Sequence, residues 1–381
     1  MERKVAIIDT LGAHGGAFHF YTFGQSMGLI NSGCDVSIYT NNETLDPEIS
    51  KLRFFSFYKN TFASKSRIVN GLQWILGSIQ SIVHARFSGV SIFHFHIFYT
   101  NILVLFNLLL AKLLFGKVVL TIHDVSSFSN NENSILTSNL VYKLADLLLT
   151  HNQFSRDEIV KKNTQLKNNI YIIPHGNYVP FINVQANKIK SRKYLNLPTD
   201  KTILLFFGMI KKVKGLDILL LAFKKVLEKN PNTVLLIAGK PWENDFTVYQ
   251  QIINKNNLSG DVILHTRFIP HADVEHYYCA SDLVVLPYKK IYQSGVLMMT
   301  LSYERPALVS NLPPLKEVLI DNENGFLFKS EDVNDLVKKL NLILSDKNNL
   351  KRVQKNGRIL INDKFSWDEI GILTKKAYQT L

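Results

Sequence analysis

Two hydrophobic patterns alternate along the chain. Short continuous apolar runs give way to longer stretches in which apolar residues recur every three or four positions. The first pattern reads as strands buried on both faces and the second as amphipathic helices, and their alternation predicts a parallel sheet covered by helices. Residues 5–9 predict a strand, followed by the glycine-rich turn Gly12-Ala13-His14-Gly15-Gly16 and a helix to about Asn31. Strands follow at 36–39, 54–57, 91–96, 118–122, 147–150 and 170–173, separated by helices at 67–86, 100–114, 136–146 and 155–162. The last strand ends at Pro174-His175-Gly176. Residues 177–200 lose the apolar period, become rich in Asn and Lys, and read as a linker. The plan then repeats, with strands at 202–207, 233–238 and 262–264 and helices at 215–230, 245–257 and 273–280. The reading is α/β, with two doubly wound Rossmann-like domains and a ligand cleft at the carboxyl ends of their strands.

The segment 283–310 carries the clearest chemical signal. An apolar strand stops at Pro287, a polar loop follows, and Ser294-Gly295-Val296 opens a short helix that ends before Pro306. Small residues at a helix start leave unpaired N–H groups and a positive dipole end, which suits an anion such as a diphosphate. An ordinary N-cap serine reads the same way.

At 381 residues the chain is long for one core, and 46% apolar with 20% charged residues describes a globular protein able to bury two. The net charge of +13 points to anionic partners, among them nucleotides, nucleic acid and an anionic membrane surface. Basic residues outnumber acidic ones by 15 to 11 over residues 1–180 and by 29 to 20 over the rest, so no basic arm is set apart for nucleic acid. Cys34 and Cys279 form no metal or redox spacing, which suits a reducing compartment. The most apolar stretch, 102–115, is short and contains Asn107 and Lys112, so it reads as a buried helix rather than a membrane span. The expected localisation is cytoplasmic, with peripheral attachment to the inner face of the cell membrane as an option.

A dinucleotide reading fails. Gly12, Gly15 and Gly16 do not make G-x-G-x-x-G, and the second strand runs into Thr40-Asn41-Asn42 where a ribose-binding acid is needed.

The order of short motifs resembles a known family instead. The early Gly15-Gly16 turn, TIHD at 121–124, IPHGN at 173–177, FFGMIKKVKGLDILLLAF at 206–223, LLIAGK at 235–240, SDLVVLPY at 281–288, the segment already described, and NLPPLKEVL followed by NGFLF at 324–328 are similar to those of GT-B glycosyltransferases of family 4. That resemblance covers nearly the whole chain. It implies an acceptor domain at 1–180, a nucleotide-sugar donor domain at 181–364 and a closing helix at 365–381 that returns to the first domain. Trp367, Ile370, Leu373 and Tyr378 lie at roughly helical spacing in that last segment.

The resemblance also implies site residues. Lys214, of the family's lysine-glycine pair, would neutralise the donor diphosphate, where a fixed cation stabilises the departing nucleotide more than the ground state. Gly15, Gly16, Gly208, Lys211 and Lys240 would approach the donor. Arg267, Phe268 and Ile269 would meet its base, and Ser294, Gly295 and Val296 its phosphates. His123 and Asp124 are placed near the transferred sugar or the acceptor, with His96 and His175 on the acceptor side. The co-substrate is a UDP- or GDP-linked sugar, with no separate cofactor and no metal ligands, since no D-x-D pair occurs. The acceptor is a saccharide or a lipid-linked one, in surface polysaccharide or glycolipid synthesis. Aromatic residues of the first domain (Phe54, Phe55, Phe57, Tyr58, Trp74) suit either membrane docking or core packing.

The chain departs from the family where it usually carries two glutamates eight positions apart. Ile291 and Met299 stand there, Met209 replaces the common arginine after Gly208, and Glu304 occupies a position that the family gives to glycine. A non-catalytic nucleotide-sugar-binding subunit, or an enzyme that hydrolyses or epimerises the donor, therefore stays open beside a transferase.

Overall fold

The structure, a computed structural model, describes residues 3–16, 18–125, 135–182 and 185–381. The chain forms two compact units, one of Met1–Gly176 with Phe365–Leu381 and one of Asn177–Lys364. Among the described residues the first unit holds a seven-stranded sheet of β1 (Lys4–Asp9), β2 (Asp35–Asn41), β3 (Arg53–Tyr58), β4 (Ile92–Ile97), β5 (Lys117–Ile122), β6 (Leu147–Thr150) and β7 (Ile170–Ile172), in the order 3-2-1-4-5-6-7. The second holds β8 (Thr202–Phe207), β9 (Thr233–Ala238), β10 (Val262–His265), β11 (Leu283–Leu286), β12 (Ala307–Ser310) and β13 (Phe326–Phe328), in the order 10-9-8-11-12-13. Every strand pair is parallel.

Both orders reverse direction at one point, between β1 and β4 in the first unit and between β8 and β11 in the second. Crossovers leave that point in opposite directions, which opens a crevice at the carboxyl ends of the strands. The central strands are mostly apolar because helices cover both faces; Leu204, Leu235, Ile237, Leu283, Val285 and Leu308 are buried in the core of the second unit.

The segment 177–200 is no linker. Asn187 accepts a hydrogen bond from Lys190 N–H at 2.9 Å and caps the helix Lys188–Tyr194. From that helix Arg192 is buried against the sheet. Its guanidinium donates to Ala280 O at 3.0 Å, to Thr199 O and Lys201 O at 2.9 Å each, and to Asp282 Oδ2 at 2.8 Å. That carboxylate also accepts from Ile203 N–H at 2.8 Å. One satisfied buried charge thus ties the segment to β8 and β11, a contact that periodicity does not reveal.

The helix Trp367–Tyr378 packs on the helix Phe18–Asn31 within the first unit. The two backbones touch at glycines: a Cβ on Gly28 would lie 1.9 Å from Trp367 O, and one on Gly371 would lie 2.0 Å from Gly28 O. Gly28→Ala therefore forces the helices apart. Its gain in helix propensity, about 1 kcal/mol, is smaller than the cost of overpacking against backbone, so a net loss of roughly 1–2 kcal/mol is expected. A lowered thermal midpoint checks this, and an unchanged or raised one contradicts it.

Candidate active site

In the second unit, the loops that leave β8, β9, β10 and β11 gather the residues that the sequence singles out. Two contacts set the loop spacing. Gly239 has φ of +145°, and a Cβ there would lie 1.9 Å from Gly208 O; Gly215 is left-handed at φ +67°, and a Cβ would lie 1.9 Å from Pro287 O. Only glycine lets these turns approach so closely. Lys214 ends a short turn of 3-10 helix, Lys212–Lys214. Its ammonium lies 3.8 Å from the centre of the Tyr288 ring, and among the described residues it forms no ion pair with a carboxylate. Lys289 takes the nearby acid, Asp217, at 2.7 Å. Lys211 lies 3.8 Å over the Trp242 ring. Such stacking holds an ammonium in place without neutralising it.

The helix Gly295–Ser302 begins after Ser294, whose hydroxyl accepts from Leu297 N–H at 3.1 Å. Val296 follows, and its side chain faces Gly208 across the crevice. Two buried atoms beside this start find no protein partner, Tyr288 Oη and Gln293 Oε1. Unpartnered buried polar atoms are costly unless a ligand or water completes them. Lys240, Arg267 and Phe268 are exposed after β9 and β10, and Ile269 is buried. Ile291 and Met299, where the resemblance led to an expectation of glutamates, are both buried. Glu304 has φ of +54°, a left-handed conformation that glycine adopts most readily, and its carboxylate lies 3.4 Å from Arg358.

The first unit contains a cavity of about 530 Å³ at its own reversal point, lined by Asp9, Phe18, Arg67, Trp74, His96 and Phe98 among others. Asp9 ends β1, and its Oδ1 accepts from Gly12 N–H at 2.9 Å and Leu11 N–H at 3.2 Å; Thr22 donates to Oδ2 at 3.0 Å. Burial raises its carboxyl above the usual range against those three bonds. The glycine turn is pinned from the loop after β2: Ala13 N–H donates to Thr44 Oγ1 at 2.9 Å. Gly15 closes the 3-10 turn Gly12–Gly15, and Gly16, at φ +72°, leads to the helix that starts at Phe18.

Beside the cavity, one histidine sits at the carboxyl end of each of four neighbouring strands. His96 is in β4, His123 follows β5, His151 follows β6 and His175 follows β7. His96 Nδ1 lies 3.1 Å from His123 Nε2, and His123 Nδ1 lies 3.0 Å from His151 Nε2. His151 Nδ1 donates to Ile173 O at 3.0 Å, and His175 Nδ1 to Gly176 O at 2.7 Å. His94, one turn of the pleat earlier on β4, bonds Thr121 and Tyr378. Both ring nitrogens of His123 are thus engaged, while Asp124 next to it is half-buried. Burial without acidic partners drives these imidazoles down, His94 and His175 to about 3, His151 to about 4, and His96 and His123 well below 6.5 with added repulsion from neighbouring histidines. Sequence reading missed Asp9, His151, Tyr288 and Gln293. Among them His151 had a legible signal, since a histidine recurs at each strand end. Among the described residues no cluster of three or more His, Cys, Asp or Glu is placed to hold a metal ion.

Comparison with known proteins places this geometry. Residues 187–360 match the family described as glycosyl transferases group 1. The chain is 24% identical over 223 residues to a capsular polysaccharide biosynthesis glycosyltransferase, CapM, of Staphylococcus aureus, which covers 56% of this chain and 57% of that one. It is 22% identical over 343 residues to a D-inositol 3-phosphate glycosyltransferase of Corynebacterium diphtheriae, covering 83% and 79%. Among solved structures, Anabaena HepE in complex with UDP and glucose superimposes with a TM-score of 0.78 at 16% identity, with all of both chains covered. The fold is GT-B, and the match to the group 1 glycosyl transferases lies within the second unit.

The buried imidazoles make stability depend on pH. Below 6.5 the unfolded chain takes up protons that the folded chain refuses until about pH 4 or lower, so stability falls as pH drops through that window. Each such histidine contributes a slope of about 1.4 kcal/mol per pH unit. Urea unfolding between pH 7 and 5 should show several times that slope, and His94→Gln should reduce it by one histidine's share; a flat profile contradicts neutral burial.

Proposed function

We propose that this group 1 glycosyl transferase moves a sugar from a nucleoside-diphosphate sugar to a saccharide or lipid-linked acceptor. The second unit binds the donor and the first the acceptor. The observation that carries the reading is the Lys214 ammonium, fixed on the Tyr288 ring without a carboxylate, beside a helix start where Tyr288 Oη and Gln293 Oε1 await partners. A diphosphate supplies the missing anion, and Lys211, Lys214, Lys240 and the N–H groups of Gly295 and Val296 carry its charge without a metal. Gly208 lets the diphosphate approach the backbone, and the loop Arg267-Phe268-Ile269 faces the base. UDP is the first base to test, since HepE was solved with UDP. A capsular polysaccharide glycosyltransferase among the relatives supports surface polysaccharide synthesis as the pathway.

A second reading has its own observation. With buried Ile291 and Met299 where the family resemblance implies glutamates, the chain would bind a nucleotide sugar and activate a partner without turnover. A thermal-shift panel of UDP, GDP, ADP and TDP sugars, followed by donor turnover with and without added saccharide or lipid-linked acceptors, separates the two. Acceptor-dependent release of nucleoside diphosphate supports transfer, acceptor-independent release indicates hydrolysis, and binding with no release by any donor supports the partner subunit.

Lys214→Ala should weaken UDP binding by roughly 1–3 kcal/mol, the scale of one charge-assisted contact. Calorimetry with unchanged affinity removes Lys214 from the site.

For the acceptor side we infer peripheral contact with an anionic membrane, at the cytoplasmic face. The support lies on the helix Arg67–Phe87, where Ile68, Leu72, Leu76 and Ile79 are exposed along one face, with Lys65 and Arg67 exposed at its start. The adjoining helix Ile102–Leu113 adds exposed Ile102, Leu109 and Leu113. These aliphatics, rather than the aromatics read from the sequence, form the apolar surface; Tyr58 is buried and Trp74 lines the cavity. No helix among the described residues is long and apolar enough to cross a membrane. Leu72→Glu with Leu76→Glu should abolish flotation with vesicles containing anionic lipid, whereas flotation equal to wild type contradicts this face.

A further inference from the structure

The polar side chains Asp9, Asn70, His96 and Asn101 line the cavity of the first unit, yet they are engaged within the protein. Asn70 Nδ2 donates to Ser64 O at 2.8 Å while its Oδ1 accepts from Ser64 N–H at 3.1 Å, and Asn101 Oδ1 accepts from Val104 N–H at 2.8 Å. Asp9 accepts from Leu11, Gly12 and Thr22, and both ring nitrogens of His96 have partners, His123 at 3.1 Å and Gln25 at 3.0 Å. Between these groups the walls are apolar, with Phe62, Trp74, Phe98, Leu103 and Val104 among them. A saccharide carries a hydroxyl on most of its carbons, and each one buried here without a partner costs free energy. An apolar chain meets no such cost and gains by leaving water.

Two other lining groups have no protein partner among the described residues, and both suit an anion. Thr61 is 4% exposed, and its buried Oγ1 makes no hydrogen bond, so an acceptor atom on a ligand would complete it. Arg67 is exposed at the start of the helix Arg67–Phe87 and belongs to none of the ion pairs of the first unit. A guanidinium binds a phosphate through paired N–H groups. The same helix borders the apolar surface described above. Arg67, Asn70, Gly71 and Trp74 line the cavity, whereas Ile68, Leu72, Leu76 and Ile79 form the exposed strip on another side of the helix.

We propose that this cavity receives the lipid end of the acceptor, a phosphate joined to an apolar chain, and not a free saccharide. Arg67 takes the phosphate, and Thr61 donates to an oxygen of the same head group. The first segment of the chain lies against Phe62, Trp74 and Phe98, and the remainder runs along Ile68, Leu72 and Leu76 toward the membrane. The cavity volume of about 530 Å³ falls within the usual range for small-molecule sites, about 300–1,000 Å³, which is room for a head group and the start of a chain. This deepens the acceptor side of the proposed transferase and rests on that reading for its use, while the site itself lies wholly within the first unit.

Calorimetry on the full chain, with each probe kept below its critical micelle concentration, compares farnesyl phosphate, farnesol, inorganic phosphate and a free disaccharide. Farnesyl phosphate should bind, farnesol more weakly, and inorganic phosphate and the disaccharide not measurably. Arg67→Ala should weaken farnesyl phosphate about 10-fold or more, the scale of one charge-assisted contact, and leave farnesol unchanged. A Cβ on Gly71 would meet nothing within 4 Å, so Gly71→Phe has room for its ring in the cavity and should abolish binding of both lipids. Leu72→Glu with Leu76→Glu should leave the binding of this short probe unchanged. Equal affinity of wild type and Arg67→Ala for farnesyl phosphate overturns the site, and so does binding that survives in Gly71→Phe and is lost in the strip variant. Binding of the disaccharide without farnesyl phosphate also overturns it, in favour of a saccharide acceptor. Farnesyl phosphate bound by a chain that turns over no donor supports the cavity and defeats the transferase reading; donor turnover with free saccharides and no binding of farnesyl phosphate does the reverse.

Discussion

Parallel pairing governs this molecule. When every strand of a sheet runs the same way, all the loops that leave carboxyl ends lie along one edge, and the crossover helices must cover both faces. Each unit therefore has one edge on which to place chemistry and one reversal point at which a crevice opens. In the second unit, glycines at 208, 215 and 239 bring the β8, β9 and β11 loops within backbone contact, and Lys214 stands on Tyr288 among them. In the first unit, the same edge lines up Asp9, His96, His123, His151 and His175.

Desolvation then decides what those groups are. The imidazoles are packed among Phe18, Tyr21, Phe98 and Trp367 with no acid in the line, so they stay neutral, and a neutral imidazole must choose one nitrogen for its proton. Lys214 is a different case, an amine nitrogen set 3.8 Å over the Tyr288 ring, which supplies no counter-charge.

Much of this was legible in the sequence, for reasons that can be named. The central strands, such as β1, β5, β8, β9 and β11, are buried on both faces and show as apolar runs, and eight motifs in the family's order carried the GT-B reading. Lys214 was singled out through the family resemblance, and Ser294 and Gly295 because small residues at a helix start suit an anion. The segment 177–200 misled because its helix is mostly solvated and its one anchor, Arg192, gains meaning only against Asp282 and Ala280. The aromatics Phe54, Phe55, Phe57, Tyr58 and Trp74 stayed open between membrane docking and core packing, since hydrophobicity alone cannot tell a cavity lining such as Trp74 from an exposed strip such as Ile68, Leu72 and Leu76. Gln25, Tyr288 and Gln293 stayed hidden because an unpartnered buried atom is a property of packing and has no sequence pattern.

The central claim is that the strand-end loops of the second unit hold a nucleoside diphosphate. Hydrogen exchange measured by mass spectrometry with and without UDP tests it most directly. The account predicts slowed exchange over residues 208–215 and 294–299, with the core of the first unit unchanged. Exchange unaltered in both segments at saturating UDP, or slowed only in the first unit, would contradict it.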